Sequence, residues 1–312
     1  MPQAQVQTEP DLGAQYRIVE AVVSRAVRIS PSLMRITFGG EELRGLSSGG
    51  RDQSLTLFLP RPGEDTPLVP PEFDAEWYTR WRALPHDRRA IMRSYTVRSQ
   101  DPVSHELDID FVLHGVDGQA SHPVGPAAAW AARAVPGDRV TLLGPALADN
   151  RSVAFLPPPD ATRIILAADE TALPAVGGIL EWLPAGAKVQ AWVEVPDVRD
   201  LQTIETAADV HIEWLVRQPG RRPGTAVVDA IRAAEPAPAE PASTEPPPAE
   251  PASTEPDPGL YVWIAGESTL VKTLRRHFVR DLGLHRSRVA FVGYWRLGAS
   301  EEQLRVERET EG

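Results

Sequence analysis

Hydrophobic positions along this chain follow two grammars. From Tyr16, apolar and polar residues alternate in short runs, Arg17–Val27, Leu33–Phe38 and Leu55–Leu59, separated by Pro31, Gly39-Gly40 and Gly49-Gly50. That is the period-two spacing of strands punctuated by turn formers. Pro60 to about Arg89 departs from it, and Trp77, Tyr78 and Trp81 within that stretch are spaced as one apolar face of a short helix. The expected role of these aromatics is to pack the excursion onto its own domain. Ser94–Arg98, Glu106–His114 and Arg139–Leu143 resume the strand pattern. Gly125-Pro126 opens a helix, Ala127–Ala134, which Pro136-Gly137 closes; proline suits a first helical position and alanine the interior. Short strands with a single helix predict a small antiparallel barrel over 16–156.

After Pro157-Pro158-Pro159 the pattern changes. Arg163–Ala168, Val189–Val195, His211–Val216, Tyr261–Ala265 and Val289–Tyr294 read as strands, and Leu173–Leu183, Ala226–Ala234 and Leu270–Leu282 as helices. Strands alternating with helices predict a doubly wound parallel sheet over 160–298, whose ligands gather at the carboxyl ends of the strands. Residues 235–258 interrupt that domain. They repeat Ala239–Pro246 as Ala249–Pro256 and hold six acids without a Lys or Arg, a composition expected to stay extended and solvated. Residues 1–15 and 299–312 read as tails.

Composition narrows the chemistry. With 42% hydrophobic and 24% charged residues the chain is globular in type. No apolar run is long enough to cross a bilayer and no signal-peptide layout opens the chain, so a cytoplasmic protein is expected. The absence of cysteine excludes thiolate metal sites and cysteine nucleophiles. A net charge of −11 argues against a nucleic-acid binder, although −5 remains once the acidic repeat is set aside. The histidines show no His-x-x-x-His or His-x-His pairing and there is no Gly-x-Ser-x-Gly elbow, so neither a dedicated metal site nor a serine hydrolase is expected.

Four stretches carry candidate chemistry. In Arg93-Ser94-Tyr95-Thr96-Val97-Arg98, alternation puts Arg93 and Tyr95 on one strand face and Thr96 on the other. A guanidinium for phosphate, a ring for stacking and a hydroxyl for a ring edge suit a large planar cofactor with a charged tail; the same residues also fit an ordinary half-exposed strand. Asp110-Phe111-Val112-Leu113-His114-Gly115 ends a strand ahead of the Gly125-Pro126 helix, where Gly125, Ala127 and Ala128 leave the backbone open to a diphosphate. Asp169-Glu170-Thr171 follows the first strand of the second domain, in place of the glycine-rich turn of dinucleotide-binding sheets. Those residues serve equally as helix caps or as nucleotide contacts. Lys272, Arg275, Arg276 and Arg280 make a basic helix, followed by Gly293-Tyr294-Trp295-Arg296-Leu297-Gly298. Basic helices are usually solvated faces; the alternative is that Lys272, Arg275, Arg276 and Arg296 hold an anionic substrate.

Arg-Ser-Tyr-Thr-Val-Arg, Asp-Phe-Val-Leu-His-Gly, Gly-Pro-Ala-x-x-Trp-Ala, Asp-Glu-Thr-Ala-Leu-Pro, Trp-Ile-Ala-Gly-Glu and Gly-Tyr-Trp-Arg-x-Gly occur in this order from about Tyr16 to Gly298. Together they resemble the siderophore-interacting protein family, flavin-dependent ferric-siderophore reductases. The resemblance implies a ferredoxin-reductase-like fold, an FAD-binding antiparallel barrel followed by a nicotinamide-nucleotide-binding-like α/β domain. It implies Arg93 on FAD phosphate, Tyr95 near the isoalloxazine, Thr96 near N5, and Asp110, Val112, Leu113 and His114 along the cofactor. Gly125, Ala127 and Ala128 would meet the diphosphate, and Asp169 and Thr171 would meet nucleotide. Ala128 stands where the family often carries Ser, and Gly118–Val124 reads as an insertion. The implied reaction takes a hydride from NADPH or NADH, or electrons from reduced ferredoxin, and passes them singly to a Fe(III) siderophore, loosening its hard oxygen ligands. A general flavin reductase or electron-transfer protein, and a ferric-siderophore binder without turnover, stay open beside it.

Overall fold

The computed structural model describes residues 15–115, 124–234 and 257–299. The tails, the 118–124 insertion and the acidic repeat expected from the sequence fall wholly or mostly outside these residues. The chain divides into two compact units, one up to Arg28 together with Met34–Val153, the other Ile29–Leu33 together with the residues from Ala154 onward.

The first unit is a seven-stranded antiparallel sheet in the order β4-β3-β7-β1-β2-β6-β5. Its strands are β1 (Tyr16–Ser30), β2 (Leu33–Gly39), β3 (Ser54–Leu59), β4 (Ile91–Thr96), β5 (Ser99–Asp101), β6 (Glu106–Val112) and β7 (Arg139–Pro145). The sheet curls until its ends meet. Between β4 and the edge strand β5, Val97 N–H donates to Gln53 C=O at 2.8 Å and Arg98 N–H to Asp108 C=O at 2.9 Å. The sequence placed Val97 and Arg98 inside a strand; they form this corner, and the strand begins earlier, at Ile91. The inner face is a continuous apolar core that includes Val19, Ala21, Leu55, Leu57, Leu107, Ile109, Phe111 and Leu142. Alternate residues of each strand supply it, as a two-residue period requires.

The excursion between β3 and β4 packs as its aromatic spacing predicts. Helix α1 (Trp77–Ala83) lays Trp77 and Trp81 over Phe58, Ala90 and Met92, outside the main core. Trp77 Nε1 donates to Pro70 C=O at 2.9 Å, so burial of this indole leaves no polar penalty. A second helix, α2 (Pro126–Ala131), starts at Gly125 and buries Trp130, which stacks on Phe38 and tilts against Phe111.

The second unit is a five-stranded parallel sheet in the order β10-β9-β8-β11-β12. It comprises β8 (Arg163–Ala168), β9 (Lys188–Val195), β10 (Asp209–Val216), β11 (Leu260–Glu267) and β12 (Val289–Trp295). Every residue of central β11 is buried, the continuous apolar run expected of a strand covered on both faces. Helices α4 (Thr225–Ala234) and α5 (Ser268–Arg276) join the core that contains Trp192, Val262 and Ile264. Tyr261 points to the opposite face and meets Phe155, which meets Trp182 of α3 (Leu173–Trp182). Helix α5 gives way to a π turn, His277–Asp281, closed by Leu282 N–H on His277 C=O at 3.0 Å.

Trp77→Ala should cost about 3–5 kcal/mol, read as a lower urea midpoint with little change in m-value. A loss below 1 kcal/mol would show that the excursion does not depend on this contact.

Candidate functional site

Period-two pairing sets the surroundings of β4. Arg93 lies opposite Leu57 and Tyr95 opposite Leu55, whereas Ser94 and Thr96 pair with Thr56 and Ser54. Arg93 and Tyr95 therefore share the face that carries the core, and Thr96 is buried on the other. The Tyr95 ring sits 4.4 Å, centroid to centroid, from Phe111 on β6. The half-buried Arg93 donates from Nη1 to Met92 C=O at 2.8 Å. Helix α2 packs beside this strand. Its first internal bond runs from Ala129 N–H to Gly125 C=O at 2.9 Å, so the amides of Ala127 and Ala128 lie ahead of the helical ladder. An added Cβ at Gly125 would meet nothing within 4 Å.

The β6 candidates separate by face. Leu113 continues the inward series of Ile109 and Phe111, while Asp110 and Val112 alternate away from it. Asp110 is taken up by a cross-strand pair: Arg35 on β2 donates Nε to Oδ1 at 2.7 Å and Nη2 to Oδ2 at 2.8 Å. Each Asp110 oxygen takes one guanidinium hydrogen bond and only 4% of the residue is exposed, so the carboxylate supports the sheet. His114 is exposed beyond the strand, ahead of Gly115 at φ 73°.

At the carboxyl ends of the parallel strands the sheet gathers acids. Asp169, after β8, is fully buried and accepts on Oδ1 from Thr171 N–H at 2.9 Å and from the Thr171 hydroxyl. Its Oδ2 accepts from Glu267 N–H at 2.7 Å and Trp295 Nε1–H at 2.9 Å. Burial, aided by the charge of Glu170, outweighs these four donors and lifts the carboxyl to about 6. Neither Asp169 nor Thr171 caps α3, whose N-cap is Ala172 with no side-chain bond. Asp169 is spent on joining β8 to β11 and β12, while the Thr171 hydroxyl donates to it within the turn.

Glu170 is also fully buried and bonds both terminal nitrogens of Arg217, which follows β10. Arg217 Nε donates to Glu194 on β9 at 2.5 Å, and Glu194 accepts as well from Gly224 N–H at 2.9 Å and Ala226 N–H at 3.1 Å. Burial pushes Glu170 up despite the guanidinium. Arg217 loses to desolvation yet is held above its ordinary range by the two acids. The sequence reading passed over Glu194 and Arg217; the signal was an acid inside the apolar run Ala191-Trp192-Val193-Glu194-Val195.

The basic residues proposed for a substrate do not converge. Arg296 follows β12 at the carboxyl edge. Helix α5 runs back from that edge, so Arg275 and Arg276 lie about 12 Å along it. Arg275 there covers Phe291, near the start of β12, at 4.3 Å. Lys272, Arg275 and Arg276 are exposed on the face opposite Leu270, Val271 and Leu274, as helical period demands. They do not form one pocket with Arg296.

Among the described residues no cluster of three or more His, Cys, Asp or Glu has metal-holding geometry, and no helix is long and apolar enough to cross a membrane.

Comparisons with known proteins agree with this architecture. Residues 22–149 match the model of the siderophore-interacting FAD-binding domain and residues 161–298 that of the siderophore-interacting protein. The chain is 30% identical over 281 residues to ferric vibriobactin reductase ViuB of Vibrio cholerae, covering 90% of each. It is 32% identical to the NADPH-dependent ferric-chelate reductase of Escherichia coli, covering 89% of this chain and 93% of that protein. The solved siderophore-interacting protein SipS from Aeromonas hydrophila superposes with a TM-score of 0.70 at 30% identity, covering 95% of this chain and 98% of that one. Solved ferredoxin reductases share the fold at 14% and 15% identity, with TM-scores of 0.52 and 0.51.

Arg217→Met should cost about 3–5 kcal/mol, because it strands two buried carboxylates; an unchanged denaturation midpoint would contradict the pairing. Asp169 makes a separate pH prediction. Its folded pKa lies above the unfolded value, so the native state holds the extra proton between about pH 4 and 6, and its contribution to stability falls as pH rises through that window. Urea unfolding of Asp169→Asn should lack this fall, so its stability relative to wild type should rise by about 2 kcal/mol from pH 4.5 to 7. Parallel pH profiles would show that Asp169 does not titrate there.

Proposed function

Since the chain belongs to the siderophore-interacting protein family, we propose that it is an oxidoreductase that uses FAD and a nicotinamide nucleotide to reduce ferric siderophores, releasing iron as Fe(II). The observation that carries the reading is the pairing of Arg93 and Tyr95 on one face of β4, with Phe111 beside them and the start of α2 close by.

The donor set suits FAD. Arg93 supplies a planar cation for phosphate, and the amides of Ala127 and Ala128 supply neutral donors beside the unobstructed Gly125. Tyr95, braced by the fully buried Phe111, offers a ring face for the isoalloxazine, and Thr96 a hydroxyl and an amide near its edge. Val112 contributes through its backbone at the end of β6, as do Leu113 and His114 just beyond it. When bound, FAD converts a two-electron hydride donor into single electrons for Fe(III). The protein binds and orients; no side chain has to ligate iron, because the siderophore already does so and holds Fe(II) less tightly. Arg296 is the residue assigned to an anionic chelate. NADPH or NADH is the donor, with reduced ferredoxin as the alternative; anaerobic reduction of the bound flavin by each in turn separates them. The cytoplasm, where nicotinamide nucleotides are available, is the proposed site of action.

Purified protein should bind one FAD and appear yellow. Arg93→Ala should lower FAD affinity by roughly tenfold or more, the loss of a charged hydrogen bond, and shed flavin on gel filtration, with the unfolding midpoint of the flavin-free protein unchanged. Retention of full flavin content in both Arg93→Ala and Tyr95→Ala would remove β4 from the site. Reoxidation of the photoreduced flavin by a ferric catecholate under anaerobic conditions should be rapid in wild type. A reduced flavin inert to it would leave a general flavoprotein.

A further inference from the structure

Arg296, the residue assigned to an anionic chelate, sits in a turn that the parallel unit holds from several sides. β11 and β12 pair in register up to Gly266 opposite Gly293, but Glu267 lies opposite Trp295, so β12 accommodates one extra residue, Tyr294. A bulge at a strand end re-aims the side chain that follows it. Here it brings the indole of Trp295 to Asp169, whose Oδ2 accepts from Nε1–H at 2.9 Å. An added Cβ at Gly266, at φ 138°, would lie 2.6 Å from the Asp169 Cγ, so glycine is what lets the carboxylate stand there.

The backbone on either side of Arg296 is tied as well. The Ser268 hydroxyl donates to Trp295 C=O at 2.9 Å, and Leu297 N–H donates to Glu267 Oε1 at 3.3 Å. Ala299 N–H donates to Arg296 C=O at 3.1 Å and closes the turn. Arg296 is half-buried, unlike the exposed Lys272, Arg275 and Arg276. A cation partly out of water attracts an anion more strongly, and a side chain set in advance loses less entropy on binding. Asp169 joins these parts. Of the four donors on its carboxylate, Trp295 Nε1–H alone comes from the strand that leads into Arg296.

We infer that Asp169 and Trp295 are positioning residues for the substrate, their bond holding Arg296 in place for an anionic ferric chelate; the inference rests on the assignment of Arg296 in the reductase reading above. Asp169 has no exposed surface and acts only through the indole. The hold favours chelates whose oxygen ligands carry more charge than the metal neutralises, as three catecholate dianions do around a trivalent ion.

Calorimetric titration of the flavin-loaded, oxidised full-length protein with a gallium(III) tris-catecholate tests this without turnover, because flavin does not reduce that metal. Arg296→Ala should weaken binding about tenfold or more, the loss of a charge-assisted contact. Trp295→Phe keeps a ring and removes the N–H; it should weaken binding about threefold or more with flavin content unchanged. The double substitution should bind no more weakly than Arg296→Ala alone, because the indole acts through the guanidinium, whereas a merely structural effect would multiply the two losses. Wild-type affinity in Trp295→Phe, or in Asp169→Asn should Trp295→Phe not fold, would overturn the inference. So would wild-type affinity in Arg296→Ala, multiplied losses in the double variant, or no binding by the wild type. Reoxidation of photoreduced flavin by a ferric catecholate measures electron transfer separately, so the reductase reading stands or falls on that result.

Discussion

A carboxylate removed from water must be met by donors, and that constraint shapes both units. Asp110, Asp169, Glu170 and Glu194 are each at most 4% exposed. Desolvating such a group costs several kcal/mol unless hydrogen bonds and opposite charge offset it. In the antiparallel unit Arg35 meets the need with a two-pronged bond across the β2–β6 ladder. In the parallel unit Arg217 serves two acids at once, and Asp169 draws on a side chain and backbone from three chain segments. These bonds fix how strand ends and loops meet in each unit.

The same constraint reassigns residues. Acids near a cofactor edge look like ligands when only their order along the chain is known. In three dimensions Asp110 is held by Arg35 across the sheet, and Asp169 accepts four hydrogen bonds within its own unit. On the proposed reading FAD meets a cation, two backbone amides and the Tyr95 ring, a set matched to a diphosphate and a flat ring.

The architecture was legible in the sequence because hydrophobic periodicity encodes it locally. The fully buried β11 and the aromatic spacing of α1 are cases where the pattern and the packing coincide. β5 was not legible: Ser99-Gln100-Asp101 has no apolar residue and is a strand only because β6 pairs with it. The π turn after α5 was not legible either, because Leu270–Leu282 reads as one amphipathic helix and the bond from Leu282 N–H to His277 C=O has no residue signature of its own. Side-chain placement was half legible. The candidates Arg93, Tyr95 and Thr96 stand within four residues on one strand, whereas Glu170 and Arg217 are 47 apart, Asp110 and Arg35 75, and Asp169 and Trp295 126. No local pattern reports such pairings. The basic stripe of α5 misled because charge was visible and direction was not: the helix carries Arg275 away from the edge that Arg296 occupies.

The most direct test of the account is an electron balance under anaerobic conditions. NADPH is added in limiting amount to the flavin-loaded protein with excess ferric siderophore and an Fe(II) trap. The account predicts about two Fe(II) trapped per NADPH consumed, because one hydride carries two electrons and each iron accepts one. NADPH oxidation that yields no Fe(II), or Fe(II) release that proceeds equally well from protein stripped of flavin, would contradict it.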